Sequence, residues 1–175
     1  MRKTSEVIEN VHNHRSELGI LYLNDFNRKA MQKIFAENDL EFTELFQCDV
    51  YVYLSNHHPL AGRDKITFEE LGDYPCLSFE QGDKNSFYFA EEVFSTLQYK
   101  QMIKADDRAT MLNLMVGMNG YTLCSGIICE ELNGDGYSAI PLETDEKMTI
   151  GYIKRKGMHI SHIGKSYIEI LRGYA

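Results

Sequence analysis

Apolar residues along this chain recur in two rhythms, helical spacing and short alternating or unbroken runs, and the two take turns. Val7, Ile8 and Val11 fall on one helical face behind Thr4 or Ser5, either of which can cap a helix start. Leu18 to Leu23 (LGILYL) is an almost unbroken apolar run, the pattern of a strand buried on both faces. Arg28 to Glu37 places Ala30, Met31, Ile34 and Phe35 at helical spacing, and Asn38-Asp39 ends that helix. From Cys48 to Ser55, Val50, Val52 and Leu54 alternate with Tyr51 and Tyr53, which predicts a strand with unlike faces.

His57 to Arg63 (HHPLAGR) breaks the pattern with Pro59 and Gly62. Thr67-Phe68-Glu69-Glu70 is a capping box, with Ile66 and Leu71 at the positions of a hydrophobic staple. Tyr74-Pro75 closes that short helix, and Cys76 to Phe79 reads as a strand. A polar turn, Glu80 to Asn85, feeds a helix from about Ser86 to Leu97. Gln101 to Ala105 is a further strand. Asp106 or Asp107 then caps a helix through Met118, with Met111, Leu112, Met115 and Val116 inward and Gly120 as its stop. The methionine stripe reads as core filling.

Tyr121 to Cys124 is a strand, and Ser125-Gly126 turns into a short helix ending before Gly134. Ser138 to Leu142 and Lys147 to Lys154 are strands. Ile160, Ile163, Tyr167, Ile168 and Leu171 mark a final amphipathic helix. Strands separated by helices of about 10 to 12 residues imply crossover connections, mainly parallel sheets and an α/β class.

Composition narrows the function. A chain of 175 residues forms one domain or two small lobes. Its net charge of -8, from 18 basic and 26 acidic residues, excludes a protein that wraps nucleic acid, which needs a basic face. No run approaches the ~18 apolar residues of a bilayer span. The opening residues are polar and carry no apolar signal-peptide core, so the cytoplasm is the expected compartment. Cys48, Cys76, Cys124 and Cys129 sit singly in or beside apolar segments and read as free thiols. The six histidines have no carboxylate or cysteine company at ligand spacing, so no metal and no cofactor are expected.

Several stretches together resemble the sensor domain of LysR-type transcription regulators. Cys48 to Phe79 carries a strand, HHPLAGR, the capped ITFEEL helix and YPCLSF, as at the centre of that domain. RSELGILYL (Arg15 to Leu23) is similar to the family's DLGI strand, with Glu17 in place of the aspartate. NLMVGMNGYTLCSGIICE (Asn113 to Glu130) is similar to its helix-Gly-strand-turn segment, with Ser125-Gly126 where a proline is common. The resemblance runs over essentially the whole chain. It implies a periplasmic-binding-protein-like α/β fold, two Rossmann-like lobes joined by two crossing strands near 49–55 and 147–154. The first lobe would hold 1–50 plus 152–175 and the second 51–151. It also implies a sensor truncated at its N-terminus, with an incomplete first lobe and no helix-turn-helix.

By the same resemblance a small anionic metabolite binds in the cleft between the lobes, at strand ends and helix starts. The positions carried over are Thr4 and Ser5 at a helix start, Tyr22 and Asn24 after the LGI strand, Phe79, Gln81 and Gly82 at the next turn, and Ser125 and Gly126. Each has a bland alternative: Thr4 caps its helix, Tyr22 buries its ring, Gly82 supplies a positive φ. The helix starts at Thr4-Ser5, Asn85-Ser86 and Ser125-Gly126 are expected to face one cleft. A homo-oligomer is expected, reaching DNA only through a domain absent from this chain. Two other readings stay open, a lobe of a solute-binding protein and a thiol enzyme using Cys124. The acidic balance predicts that this chain alone gives no sequence-specific, salt-dependent shift of duplex DNA in a gel, and such a shift would overturn the sensor reading.

Overall fold

The two rhythms become five helices and eight strands in the computed structural model, which describes residues 3–80, 89, 94, 99–128 and 134–174. In chain order these are α1 (Thr4–His12), β1 (Gly19–Leu23), α2 (Arg28–Glu37), β2 (Leu40–Asp49), β3 (Tyr51–Ser55), α3 (Phe68–Leu71) and β4 (Cys76–Phe79). There follow β5 (Met102–Ala105), α4 (Arg108–Met118), β6 (Tyr121–Cys124), β7 (Tyr137–Pro141), β8 (Lys147–Arg155) and α5 (His162–Arg172). The described residues fall into an N-terminal unit of 3–48, 89 and 147–174, and a central unit of 49–80, 94, 99–128 and 134–146. The helix expected from Ser86 to Leu97 and the one ending before Gly134 fall largely outside the described residues. So do Gln81 and Gly82.

In the N-terminal unit, β8 lies between β1 and β2, and β1 runs antiparallel to it, from Gly19 opposite Ile153 to Leu23 opposite Thr149. The helices bury Ile8, Val11, Met31 and Phe35 against Leu23, Leu40 and Ile153. The Phe35 ring stacks on Phe42 with centroids 6.0 Å apart. Gly151 is required where β8 meets β2, because a Cβ there would strike the Phe42 ring and come within 2.5 Å of the Thr43 carbonyl oxygen. Helix α5 is capped by Ser161, whose hydroxyl accepts from the Gly164 N–H at 3.1 Å and donates to the Glu17 carboxylate at 2.8 Å. The Ser161 N–H also donates to Glu17, and these bonds hold the Glu17 carboxyl below the usual carboxylate range.

Three expectations for this unit are corrected. The N-cap of α1 is Lys3, with no side-chain cap, and Thr4 is already helical. Strand β1 is buried only at Gly19 and Leu23 and half-buried between, because only its ends are fully covered. On α5 the apolar arc is wider than the surface that covers it. Ile168 is buried, while Ile163 is 81% exposed and Tyr167 47%.

The central unit holds a five-stranded sheet in the order β5-β4-β6-β3-β7. β4 lies between β5 and β6 and is parallel to both, and α4 carries the chain from β5 across to β6, as parallel strands of one sheet need. β3 pairs antiparallel with both β6 and β7, so pairing is mixed rather than mainly parallel. The strand expected over Cys48 to Ser55 is instead the end of β2 and all of β3, which lie in different sheets with Val50 between them.

Helix α3 has the full capping box: the Glu70 N–H donates to Thr67 Oγ1 at 3.3 Å and the Thr67 N–H to Glu70 Oε2 at 3.0 Å. Ile66 and Leu71 are buried beside it. Asp107 caps α4, accepting from the Thr110 N–H at 2.8 Å. Met111 and Met115 point into the core as expected, but Val116 is 49% exposed, because one step along a helix turns it about 100° away from Met115. Asn119, with φ 49°, makes the left-handed stop expected of Gly120, whose N–H returns to the Met115 carbonyl at 3.0 Å.

The HPLA turn is fastened to that stop by His58. Its Nδ1 accepts from the Leu60 N–H at 3.1 Å, so its Nε2–H donates to the Asn119 carbonyl at 2.9 Å. The ring is buried and lies 4.4 Å from the Tyr74 ring. Only the neutral imidazole satisfies both bonds. Burial accordingly pushes the His58 pKa down, with the Asn119 carbonyl opposing.

Two measurements follow from these contacts. Thr67→Ala removes half of the box and should cost about 1 kcal/mol, a fall of about 2–4 °C in melting temperature. A histidine depressed in the folded state stabilises fully above its unfolded value near ~6.5, and that contribution is lost as pH falls through the folded value. The melting temperature should therefore fall between pH ~7 and ~5, with a flatter profile for His58→Gln. Parallel profiles for the two proteins would refute this role.

Candidate functional site

Parallel register in the central sheet brings three strand ends to one level. Cys76 stands opposite Tyr121 and Phe79 opposite Ala105, so Phe79, Ala105 and Cys124 finish together along one edge. β3 begins at that same edge, with Tyr51 opposite Cys124. Of the positions singled out from sequence, Phe79, Ser125 and Gly126 are thereby assembled. Phe79 is buried in the core with Leu77, Met111 and Met115. The Ser125 hydroxyl accepts from the Ile127 N–H at 3.4 Å. Residues 125–128 carry no helix, so the expected helix start at Ser125-Gly126 does not lie there. Gly126 has φ 74°, and a Cβ on it would lie 2.6 Å from the Tyr51 ring. Glycine is obligatory on both counts.

The positions in the N-terminal unit have their own partners. Thr4 is buried, and its hydroxyl donates to the Phe89 carbonyl at 3.0 Å. Ser5 is half-buried in the first turn of α1. Tyr22 is half-buried in β1, opposite Ile150. Asn24 and Asn27 each accept the other's N–H on their side-chain oxygen at 2.9 Å, closing the turn into α2. Asn24 therefore shapes the chain whatever else it touches.

Sequence reading missed two side chains near the strand ends. Tyr53 of β3 is 6% exposed, and its ring stacks on Tyr137 with centroids 5.5 Å apart. Its hydroxyl has no partner of good hydrogen-bond geometry among the described residues, but the Arg108 side chain interacts with it. Burial pushes the Tyr53 pKa up, and the neighbouring Arg108 guanidinium opposes that rise. The phenol thus stays protonated and able to donate. Arg108 is the first residue of α4 and is exposed. The alternation that placed Tyr51 and Tyr53 on one face was the available signal; nothing in sequence told that α4 would cover it.

Cys76 is buried, and Cys48 and Cys124 are half-buried free thiols; the Cys124 sulfur accepts from the Gly126 N–H at 3.4 Å. Among the described residues no three His, Cys, Asp or Glu side chains are grouped to hold a metal ion. No described helix is long and apolar enough to cross a membrane.

Known proteins place the chain. It is 27% identical over 137 residues to the malolactic fermentation system transcriptional activator of Lactococcus lactis subsp. lactis, covering 76% of this chain and 46% of that protein. It thus spans about half the length of that relative. Its fold is similar to the effector binding domain of QuiR in complex with shikimate, with TM-score 0.65, 20% identity, and 99% and 78% of the two chains covered. It is also similar to the BenM effector binding domain with its effector benzoate, with TM-score 0.64, 19% identity, and 99% and 77% covered. HinK, a LysR family regulator from Pseudomonas aeruginosa, matches with TM-score 0.65 at 13% identity, over 99% of this chain and 58% of that one. The sequence model of the LysR substrate binding domain matches residues 1–175, and the chain belongs to that family.

Proposed function

We propose that this chain is the effector-sensing part of a transcription regulator and that its effector is a small carboxylate. The observation that carries this reading is the shared edge of β4, β5 and β6, where Phe79, Ser125 and Gly126 come together. Open α/β sheets take ligands beyond the carboxyl ends of their parallel strands. Shikimate and benzoate, named with QuiR and BenM, are both carboxylic acids. The Lactococcus relative is named for the malolactic fermentation system, which makes L-malate the third probe to try.

Thr4, Ser5, Tyr22 and Asn24 remain candidate contacts in the same proposal. The division into two regulatory subdomains, with hinge strands near 49–55 and 147–154, belongs to the same proposal. The ligand acts by preferring one conformation of the chain, and a tenfold preference biases the equilibrium by about 1.4 kcal/mol. In the whole regulator, a cytoplasmic homo-oligomer, that bias reaches DNA through a helix-turn-helix outside these 175 residues. The effector leaves unchanged, with no catalytic step. This reading displaces both the solute-binding lobe and the Cys124 thiol enzyme.

Melting curves with L-malate, shikimate and benzoate test the proposal. An acid present at ~100 times its dissociation constant should stabilise the chain by roughly 2.7 kcal/mol. Ser125→Leu should abolish most of that gain and leave the ligand-free melt nearly unchanged. A full ligand-induced shift in Ser125→Leu would remove Ser125 from the site.

A further inference from the structure

Helix α5 carries two apolar rows, and its own unit covers only one of them. Gly164 and Ile168 are buried and Leu171 is half-buried along the inner row. The bonds between Ser161 and Glu17 anchor the start of the helix to the loop before β1. About 100° round the axis from the inner row run Ile163, Tyr167, Ile170 and Tyr174. Tyr174 stands on the turn that closes the helix, where its N–H donates to the Leu171 carbonyl at 3.2 Å. All four are exposed, Ile163 at 81% and Ile170 at 64%, and Ile163 is the most exposed large apolar side chain among the described residues. Lys165, Glu169 and Arg172 occupy the remaining arc, which is the solvated one. A continuous apolar row outside that arc marks a contact surface.

The order of residues in the outer row says what covers it. Its intervals of four, three and four residues read the same in both directions, and Ile-Tyr-Ile-Tyr reverses to Tyr-Ile-Tyr-Ile. An antiparallel copy of the helix therefore sets Ile163 against Tyr174 of the partner subunit, and Tyr167 against Ile170 of the partner subunit. Every isoleucine meets a ring. A two-fold interface requires such a self-complementary patch, and alternating intervals of four and three form the seam of paired helices. Four such side chains on each of two copies come to about 1,000 Å², where specific interfaces begin. Charge permits the approach: the chain carries -8, but α5 sets Lys165 and Arg172 against Glu169, all of them off the seam. We propose that two copies of this chain pair antiparallel through the row from Ile163 to Tyr174. This rests on the homo-oligomer of the proposed function, to which it gives a surface, and not on the identity of the effector.

Sedimentation velocity of the 175-residue chain from about 1 to about 100 μM tests it. The variants are Ile163→Glu, Ile170→Lys and, as a control on the exposed side of α4, Val116→Lys. An acid at the start of α5 and a base near its end both suit the helix dipole, so neither change should harm the fold. Ile170→Lys also brings the net charge toward zero, which removes repulsion as a cause of lost pairing. Wild type and Val116→Lys should dimerise as concentration rises, and salt should not weaken the dimer, because the seam is apolar. Ile163→Glu and Ile170→Lys should each weaken it by at least about thirtyfold, since a two-fold interface counts every substitution twice. At the lowest concentration both should melt as wild type does. Dimerisation of either variant within about threefold of wild type would overturn this inference and leave the homo-oligomer standing on another surface. A lowered melting temperature in the diluted variants would also overturn it, by showing that the row serves the fold. A wild type that stays monomeric throughout would overturn the pairing and the homo-oligomer of these 175 residues together, with the effector reading untouched.

Discussion

Strand β3 cannot slip, and much of the central unit depends on that. Val52 and Leu54 have no exposed surface on one side, and Tyr53 is buried on the other. A shift of one residue would exchange the branched aliphatic face for the tyrosine face and empty both cores. Pairing with β6 and β7 at once locks the register from two sides. β6 then fixes β4, and β4 fixes β5, so the level at which Phe79, Ala105 and Cys124 end is set from the middle of the sheet outward. The Tyr51 ring, held at the start of β3, is what makes Gly126 irreplaceable.

Local chemistry was legible in the sequence wherever a few neighbouring residues decide the structure. The Thr67–Glu70 box, the ends of α2 and the extents of β4 and β6 are of this kind, since caps, turns and short apolar runs involve only nearby groups. Misreadings came where distant packing intervened. In Leu40–Asp49 the alternation of Leu40 and Phe42 loses phase at Leu45-Phe46, so β2 was hidden and its end was joined to β3. Thr4 looked like a cap by residue type, but its hydroxyl is drawn to the Phe89 carbonyl, 85 residues along the chain.

The candidate site was legible only in part, for the same reason. Phe79 ends a strand and Ser125 and Gly126 follow one, and strand ends are visible as the point where an apolar run meets a turn. Tyr53 and Arg108 are separated in sequence by α3, β4 and β5, and come near each other because α4 packs against β3. Their residue types advertised nothing: a tyrosine in an alternating strand and an arginine after two aspartates both read as ordinary.

The place of β8 between β1 and β2 has a consequence for the order in which the protein is made. Ile153 is wholly buried in the N-terminal core, and it belongs to the strand that fills the middle of that sheet. β1 and β2 have no sheet to join until the ribosome has delivered residues 147–155, near the end of the chain. The intervening central unit depends on no later strand. Its sheet can close as soon as β7 emerges, while Leu21, Phe35 and Leu40 wait uncovered. Nascent chains stalled before residue 147 would thus carry a finished middle and an open beginning, the form that chaperones retain and proteases clip first.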